Sequence, residues 1–239
     1  MNLDAIWHDL ECGAYSEDLP LWRTLAGEVE GPVLDIGAGT GRVTLDLAAR
    51  GAQMVALDVA APLLQALARR ATGLPVETIL ADARAFALAR RVALVLVPMQ
   101  TLQLLGGRSG RAAFMGCALA QLEPGGVVAA AIADAADCFD DQHDMPPPPA
   151  AREILGVRYA SQLISVADAG TRAILHRRRE IIGPGARYNA QDVSVALDRV
   201  SADQVAAEGR LLGFRNEAHL FVPETEQYLG STVVVLRAP

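Results

Sequence analysis

Three glycines on alternate positions follow an acidic residue in the stretch VLDIGAGTGR. They are Gly37, Gly39 and Gly41. Because glycine lacks a side chain, the backbone there can adopt positive φ and approach a ligand closely. Asp35 precedes them, and its carboxylate suits a cationic, amino-bearing ligand better than a pyrophosphate. The spacing also differs from the dinucleotide fingerprint G-x-G-x-x-G, because position 42 is an arginine. If the ligand were a dinucleotide, Arg42 alone would be left to contact a phosphate.

Two further carboxylates follow the next apolar runs of the chain. Asp58 ends the run VALD, and its two oxygens suit the two hydroxyls of a ribose. Asp82 follows the run ETILA, where it can accept a hydrogen bond from the exocyclic amine of an adenine while the Ala83 N–H faces the ring. Taken singly, either aspartate is equally explained as a helix cap. Taken together, acids at three successive strand ends predict a site for a nucleoside.

Alternating apolar runs and amphipathic stretches position these acids. The runs PVLDI, MVALDV, PVETIL, VALVLV and VVAAAIA are apolar almost throughout, which is typical of parallel strands covered by helices on both faces. The carboxyl ends of such strands meet at one edge of the sheet. Near residue 134 the alternation stops at an acidic, proline-rich stretch, which we expect to be a lid. A hairpin turning at Asp168–Gly170 follows, and AHLFVP and STVVVLRA predict a final antiparallel pair.

The segments VLDIGAGTGR, VALDVA, ADAR and LEPGGVV, in this order and spacing, resemble the class I (Rossmann-like) S-adenosylmethionine-dependent methyltransferases. The resemblance covers about residues 30–133 and returns at 201–239. It implies an α/β fold, a three-layer αβα sandwich around a mostly parallel seven-stranded sheet with an antiparallel C-terminal strand and a small β-rich insert. One departure is the lack of the Asp that many members carry at the start of the fourth strand. The implied division is an N-terminal helical cap at 1–30, a cofactor-binding domain at 31–133 and 201–239, and a lid with a β-rich, substrate-capping insert at 134–200.

The resemblance also assigns residues to S-adenosylmethionine and its product S-adenosylhomocysteine. Asp35 and the glycine loop would place the methionine part, often through water, Asp58 would bind the ribose and Asp82 would address the adenine. An N-terminal tyrosine often closes over the cofactor in related enzymes, which points to Tyr15. The implied cofactor-binding residues are Tyr15, Asp35, Gly37, Ala38, Gly39, Asp58, Val59, Asp82, Ala83 and Val97.

Methyl transfer from a sulfonium is an in-line displacement that depends mainly on placing the acceptor about 3–3.5 Å from the methyl carbon in a dry site. It needs neither a metal nor a Ser/His/Asp triad, and the four histidines show no metal-ligand spacing. The segment PMQTLQLL after the fourth strand supplies the candidate acceptor contacts, Met99, Gln100 and Gln103. Met99 is equally explained as a core-filling residue, and Gln103 as a partner for backbone groups. His176 is the candidate base, although a histidine beside RRRE on a strand is also typical of a surface.

Composition limits the partners that we expect. The net charge of −7 disfavours nucleic acid, and "VPMQ" is not the Asn/Asp-Pro-Pro-aromatic motif of amino-methylating enzymes that act on DNA or protein, so we expect a small-molecule acceptor. There is no lysine, which excludes catalytic lysine chemistry. Three distant cysteines, no recognisable signal peptide and no apolar run of membrane-spanning length predict a cytoplasmic protein without a membrane partner, as a monomer or homodimer.

Three alternatives stay open at this point. The first is an NAD(P)-dependent oxidoreductase on a Rossmann-like sheet. The second is a non-catalytic protein that binds S-adenosylmethionine. The third is an enzyme that cyclises the cofactor itself and releases methylthioadenosine.

Overall fold

The computed structural model describes residues 2–133, 147–184, 188–224 and 230–239. The chain divides into two compact units. The first contains residues 1–15 and 134–199, and the second contains residues 16–133 and 200–239. The segment 1–30, predicted as one helical cap, is therefore divided between the two units. The acidic stretch predicted as a lid lies outside the described residues as far as position 146.

The second unit is built on an eight-stranded sheet. Its strands are β1 (Val33–Ile36), β2 (Met54–Asp58), β3 (Val76–Leu80), β4 (Val92–Val97), β5 (Leu122–Ile132), β10 (Arg215–Asn216), β11 (Leu220–Val222) and β12 (Ser231–Arg237). They lie in the order β10-β12-β5-β4-β1-β2-β3, and β11 also pairs with β12. The sheet is thus seven strand positions wide, as predicted, with two short strands sharing one edge position.

Strand direction follows the apolar pattern. The first five strands are parallel, and every residue of β1, β2 and β4 is buried. Such strands lack the polar-out alternation of a half-exposed sheet because both of their faces are covered. The last strand, β12, runs antiparallel to β5, and it also pairs antiparallel with β11. The predicted mostly parallel sheet with an antiparallel C-terminal strand is confirmed.

Helices pack on both faces of this sheet. They are α2 (Leu19–Gly27), α3 (Arg42–Ala48), α4 (Ala61–Arg70), α5 (Gly107–Gln121) and α6 (Ala202–Leu211). In β2, Val55 and Leu57 belong to a buried cluster with residues of α5 and α6, whereas Ala56, which points to the opposite face, packs with α4. Ser201 caps α6 in a capping box with Gln204, which satisfies two backbone N–H groups at the start of that helix.

The first unit joins a helix to an antiparallel sheet. The helix is α1 (Leu3–Cys12), and the strands, in spatial order, are β6 (Ala150–Ile154), β7 (Val157–Asp168), β8 (Arg172–Ile182) and β9 (Tyr188–Asp198). Trp7 of α1 packs edge-on against Tyr159 with a ring-centroid distance of 5.7 Å, and Arg179 lies over the Trp7 ring. The predicted hairpin turn is confirmed, because Gly170 N–H donates to Asp168 Oδ1 at 2.7 Å between β7 and β8.

Within the described residues, none of the helices has the length and apolar character needed to cross a bilayer.

Candidate active site

The carboxyl ends of the first three strands meet around Asp58. The Gly39 N–H in the loop after β1 donates to Asp58 Oδ2 at 2.8 Å. The Ala81 N–H, directly after β3, donates to the Asp58 carbonyl oxygen at 3.1 Å. Asp35 lies in β1 and Asp82 follows β3, so the three aspartates are carried by three adjacent strands, with Asp58 on the middle one.

Each oxygen of the Asp58 carboxylate accepts one backbone hydrogen bond. Its Oδ1 accepts a hydrogen bond from the Ala60 N–H at 2.8 Å at the start of α4, while Oδ2 holds the glycine loop. A carboxylate offers about four acceptor positions, two on each oxygen. One position on each oxygen therefore stays available for a diol, which matches the two hydroxyls of a ribose.

Asp35 lies deeper and is 1% exposed. Its Oδ2 accepts a hydrogen bond from Thr44 Oγ1 at 2.6 Å, while its Oδ1 makes no hydrogen bond with any of the described residues. Burial raises the pKa of Asp35 to about 6, an effect that Asp58 reinforces and that Thr44 and Arg42 oppose. A buried carboxylate oxygen without a donor fits a ligand that brings an ammonium group or an ordered water.

We expect Asp35→Asn to stabilise the ligand-free protein at neutral pH. The native state binds the Asp35 proton more tightly than the unfolded chain does, so this carboxyl lowers stability as the pH rises from about 4 to about 6 and the full cost persists above that. The shift of about two pKa units corresponds to roughly 3 kcal/mol. Melting temperatures at pH 5 and pH 8 should therefore show a larger gain for Asp35→Asn at pH 8. An equal gain at both pH values would contradict the assignment.

The glycine loop owes two of its glycines to packing inside the protein. A Cβ on Gly37, whose φ is 69°, would lie 2.6 Å from Thr101 Cγ2. A Cβ on Gly41, whose φ is 98°, would lie 2.3 Å from Leu67 Cδ1. Sequence reasoning explained these glycines by ligand approach and missed the packing contacts. No local pattern indicates that Thr101, 64 positions after Gly37, and Leu67, 26 positions after Gly41, pack against this loop. Gly39, with φ 55°, is the member whose N–H binds Asp58.

Asp82 already has a strong partner. Arg84 donates through its side chain to both carboxylate oxygens, with distances from 2.6 to 3.2 Å, and its backbone N–H donates to Oδ1 at 2.8 Å. These bonds lower the pKa of Asp82 to about 2. Because the ion pair is solvent-exposed, it is readily exchanged for another donor. Contact between Asp82 and adenine stays a prediction.

A buried ion pair anchors α2 beside the glycine loop. Arg42, the first residue of α3, donates through both terminal nitrogens to Asp18, and the Trp22 Nε1–H donates to Asp18 Oδ2 at 2.7 Å. The two charged side chains are 9% and 2% exposed. Arg42 is thus paired with a protein carboxylate. The dinucleotide alternative needs Arg42 to contact a phosphate, and this ion pair disfavours that contact.

The turn after β4 carries the predicted acceptor contacts. Val97 and Pro98 are buried, while Met99 and Gln100 are partly exposed. Gln103 is 2% exposed, and its amide exchanges two hydrogen bonds with the backbone of Ala133. This is the backbone role that the sequence left open for Gln103.

Tyr15 and His176 belong to the first unit. Tyr15 is buried, and the Nδ1 atom of His176 in β8 lies 2.8 Å from Ser194 Oγ in β9. Closure of Tyr15 over a cofactor and base catalysis by His176 stay predictions. The remaining predicted cofactor contacts lie in the second unit, where Ala38 and Ala83 are buried and Val59 is exposed.

The residues present fit S-adenosylmethionine. Asp58 offers two acceptor positions for a ribose. The Asp35 Oδ1 atom, which accepts no hydrogen bond from the described residues, belongs to the neighbouring strand β1. The resemblance assigns this aspartate to the methionine part of the cofactor. Among the described residues, no group of three or more His, Cys, Asp or Glu side chains is arranged to hold a metal ion.

Comparison with known proteins agrees with this geometry. Residues 33–126 match the family model of a methyltransferase domain. The sugar N-methyltransferase KedS8 of Streptoalloteichus sp. is 18% identical with a TM-score of 0.79, over 100% of this chain and 94% of that one. The S-adenosylmethionine-bound amino pentose methyltransferase CalS10 of Micromonospora echinaspora is 17% identical with a TM-score of 0.74, over 100% and 98%.

The glycopeptide N-methyltransferase MtfA, in complex with S-adenosylhomocysteine, is 21% identical with a TM-score of 0.64, over 95% of this chain and 89% of that one. No curated protein sequence matches the chain. The matched domain contains the glycine loop and all three aspartates, and the dinucleotide alternative is not favoured. Residues 33–126 therefore carry a methyltransferase domain, which, together with the fold shared with these structures, indicates an enzyme that uses S-adenosylmethionine.

Proposed function

We propose that this enzyme methylates an amino nitrogen of a small molecule, and that an amino sugar is its acceptor class. The proposal is supported by three structurally similar proteins whose descriptions name a sugar N-methyltransferase, an amino pentose methyltransferase and a glycopeptide N-methyltransferase. The net charge of −7 is compatible with a cationic amine and unfavourable for nucleic acid.

The observation that carries the proposed cofactor site is the pair of available acceptor positions on Asp58, next to the glycine loop that Asp58 itself holds. When bound, S-adenosylmethionine supplies a methyl group activated by its sulfonium. Asp58 and Val59 would bind its ribose, and Asp82 and Ala83 its adenine. Asp35, together with the loop Gly37–Gly39, would orient the methionine part.

The acceptor is proposed to lie at the ends of β4 and β5, against Met99 and Gln100. A protonated amine must lose a proton before it can act as a nucleophile. His176 is the proposed base, with Nδ1 held by Ser194 so that Nε2 is the nitrogen left to accept the proton. Tyr15 is proposed to close over the cofactor. We further propose a cytoplasmic enzyme, monomeric or homodimeric, without a nucleic-acid partner.

Calorimetry and product analysis test this function. We expect micromolar binding of S-adenosylhomocysteine to the full chain, and transfer of a deuterated methyl group from labelled S-adenosylmethionine to glucosamine. Glucose is the matched acceptor without an amine and should stay unmodified. Methylation of glucose at the same rate would contradict amine specificity. Formation of methylthioadenosine in place of S-adenosylhomocysteine would support cofactor cyclisation and overturn methyl transfer.

A further inference from the structure

The turn that follows β4 has a backbone conformation that its residues do not favour. Met99 has φ 54°, and Gln100 has φ −103°. The Thr101 N–H donates back to the Pro98 carbonyl oxygen at 3.4 Å. Positive φ at the first central position alone is typical of a type II′ turn, in which glycine normally occupies that position. Methionine is disfavoured there because its Cβ approaches the backbone.

The other described non-glycine residue with positive φ has an ordinary explanation. Leu155 lies in the exposed connection between β6 and β7, followed by Gly156. Met99 differs because it lies directly after a buried central strand, at the edge where the cofactor loop is found. Strained residues persist only where surrounding contacts hold them, and they concentrate at functional sites.

One set of contacts holds the turn from the side of β1. Thr101 Oγ1 donates to the Pro98 carbonyl oxygen at 3.0 Å, closing the turn a second time. The methyl group of Thr101 lies where a Cβ of Gly37 would be, within 2.6 Å. The turn therefore rests directly on the glycine loop, and a larger residue at position 37 would displace it.

Gln103 holds the turn from the side of β5. Its Nε2 donates to the Ala133 carbonyl oxygen at 2.8 Å, and its Oε1 accepts from the Ala133 N–H at 3.0 Å. The pairing of β4 with β5 ends at Val97 and Ala130, so the last part of β5 extends beyond β4. Gln103 occupies the place of the missing strand partner. The side chain of Leu102 is fully buried in the core and anchors the same segment there.

We infer that Gln103 is a positioning residue for the methyl acceptor, acting through the strained turn at Met99 that it holds against the glycine loop. This inference rests on the proposed function, in which the acceptor lies against Met99 and Gln100. A displacement of about 1 Å in acceptor placement can lower the rate of such a reaction about a hundredfold. A turn fixed at both ends sets that distance before the acceptor arrives.

The first test removes the two side-chain hydrogen bonds between Gln103 and Ala133 without changing side-chain length. Gln103→Met is compared with Gln121→Met, because the Gln121 Oε1 accepts from the Leu88 N–H at 3.0 Å and lies at the opposite end of the sheet's strands. We expect Thr101 amide hydrogen exchange to become about tenfold faster in Gln103→Met and to stay unchanged in Gln121→Met. Affinity for S-adenosylhomocysteine should change less than about twofold in both. Unchanged Thr101 exchange, or cofactor affinity lost in Gln103→Met alone, would overturn the inference.

The second test asks whether the effect passes through Met99. Glycine tolerates positive φ, so Met99→Gly in the Gln103→Met background should slow Thr101 exchange again, about three- to tenfold. Met99→Gly alone should slow it in the otherwise unchanged chain, which keeps the test decisive if Gln103→Met does not fold. Faster or equal exchange in either comparison would contradict the role of the strained turn.

The third test measures positioning. With glucosamine as acceptor, Gln103→Met should lower kcat/KM about ten- to a hundredfold, and Gln121→Met less than about twofold. Equal loss in both variants would assign Gln103 a general structural role. If the unchanged enzyme binds S-adenosylhomocysteine but does not methylate glucosamine, the amino-sugar proposal fails, and the exchange experiments then decide the role of Gln103 by themselves.

Discussion

Asp58→Ala is expected to weaken S-adenosylhomocysteine binding about a hundred- to ten-thousandfold. Each hydrogen bond to a charged group contributes about 1.5–3 kcal/mol, and two ribose hydroxyls would lose such a partner. The variant also removes the acceptor for the Gly39 N–H, so the glycine loop loses a contact that shapes it. Calorimetry with the full chain measures this effect directly.

Asp46→Ala is the matched control for that measurement. Asp46 lies in α3 of the same unit and pairs with Arg23 at 2.7 Å, away from the strand ends. Asp46→Ala is the same change of residue type at a position outside the three strand-end aspartates. The affinity for S-adenosylhomocysteine should therefore stay within about twofold of that of the unchanged protein. If Asp58→Ala binds S-adenosylhomocysteine as tightly as Asp46→Ala does, the ribose assignment is wrong.

Asp18→Ala should give the largest loss of stability among the substitutions considered. It removes a buried carboxylate that neutralises Arg42 and accepts from Trp22, whose side chain is fully buried. Breaking a buried pair by removing one partner costs about 3–5 kcal/mol. For a chain of this size the melting temperature should fall by about 6 to 20 °C. Thermal unfolding followed by circular dichroism gives the value.

Two comparisons separate the buried charge from other effects of Asp18→Ala. Asp46→Ala breaks a more exposed pair between the same two helices, α2 and α3, and should cost less than about 1 kcal/mol. The double variant Asp18→Leu with Arg42→Met replaces both charges by apolar groups and should recover most of the melting temperature. If the double variant is as unstable as Asp18→Ala, loss of packing or of the Trp22 hydrogen bond is the dominant cause.

The Asp18–Arg42 pair also bears on cofactor binding. Arg42 directly follows the glycine loop, and Gly41 before it has a left-handed backbone with φ 98°. A change in the position of Arg42 therefore moves the start of α3 and the loop together. We expect Asp18→Ala to weaken S-adenosylhomocysteine binding as well, whereas the double variant should restore part of the affinity.

Much of the fold could be predicted from periodicity. The apolar runs that became β1, β2 and β4 are buried at every position, and the chain alternates them with helices, so a covered parallel sheet is the expected arrangement. The turn at Asp168–Gly170 and the cap at Ser201 were also predictable. Aspartate and serine side chains accept hydrogen bonds from backbone N–H groups two or three residues later, and glycine tolerates the positive φ of a tight turn.

The division of the chain into two units was harder to predict from the sequence. The sequence predicts one helical cap over residues 1–30, yet α1 packs in the unit of the antiparallel sheet. The contacts responsible are Trp7 with Tyr159 and Glu11 with Arg179, pairs separated by about 150 positions or more. An amphipathic pattern indicates that one face of a helix will be buried but does not indicate which surface will cover it.

The sequence by itself determined the alternation of elements, the direction of most strands and the presence of three aspartates at one edge of the sheet, because these depend on residue types at local spacing. Only the tertiary structure decided the partners of those groups. It paired Arg42 with Asp18, placed Thr101 against Gly37 and joined Gln103 to Ala133. Such partners are selected by packing between distant segments, where one residue type has many possible neighbours and the close-packed interior admits one arrangement.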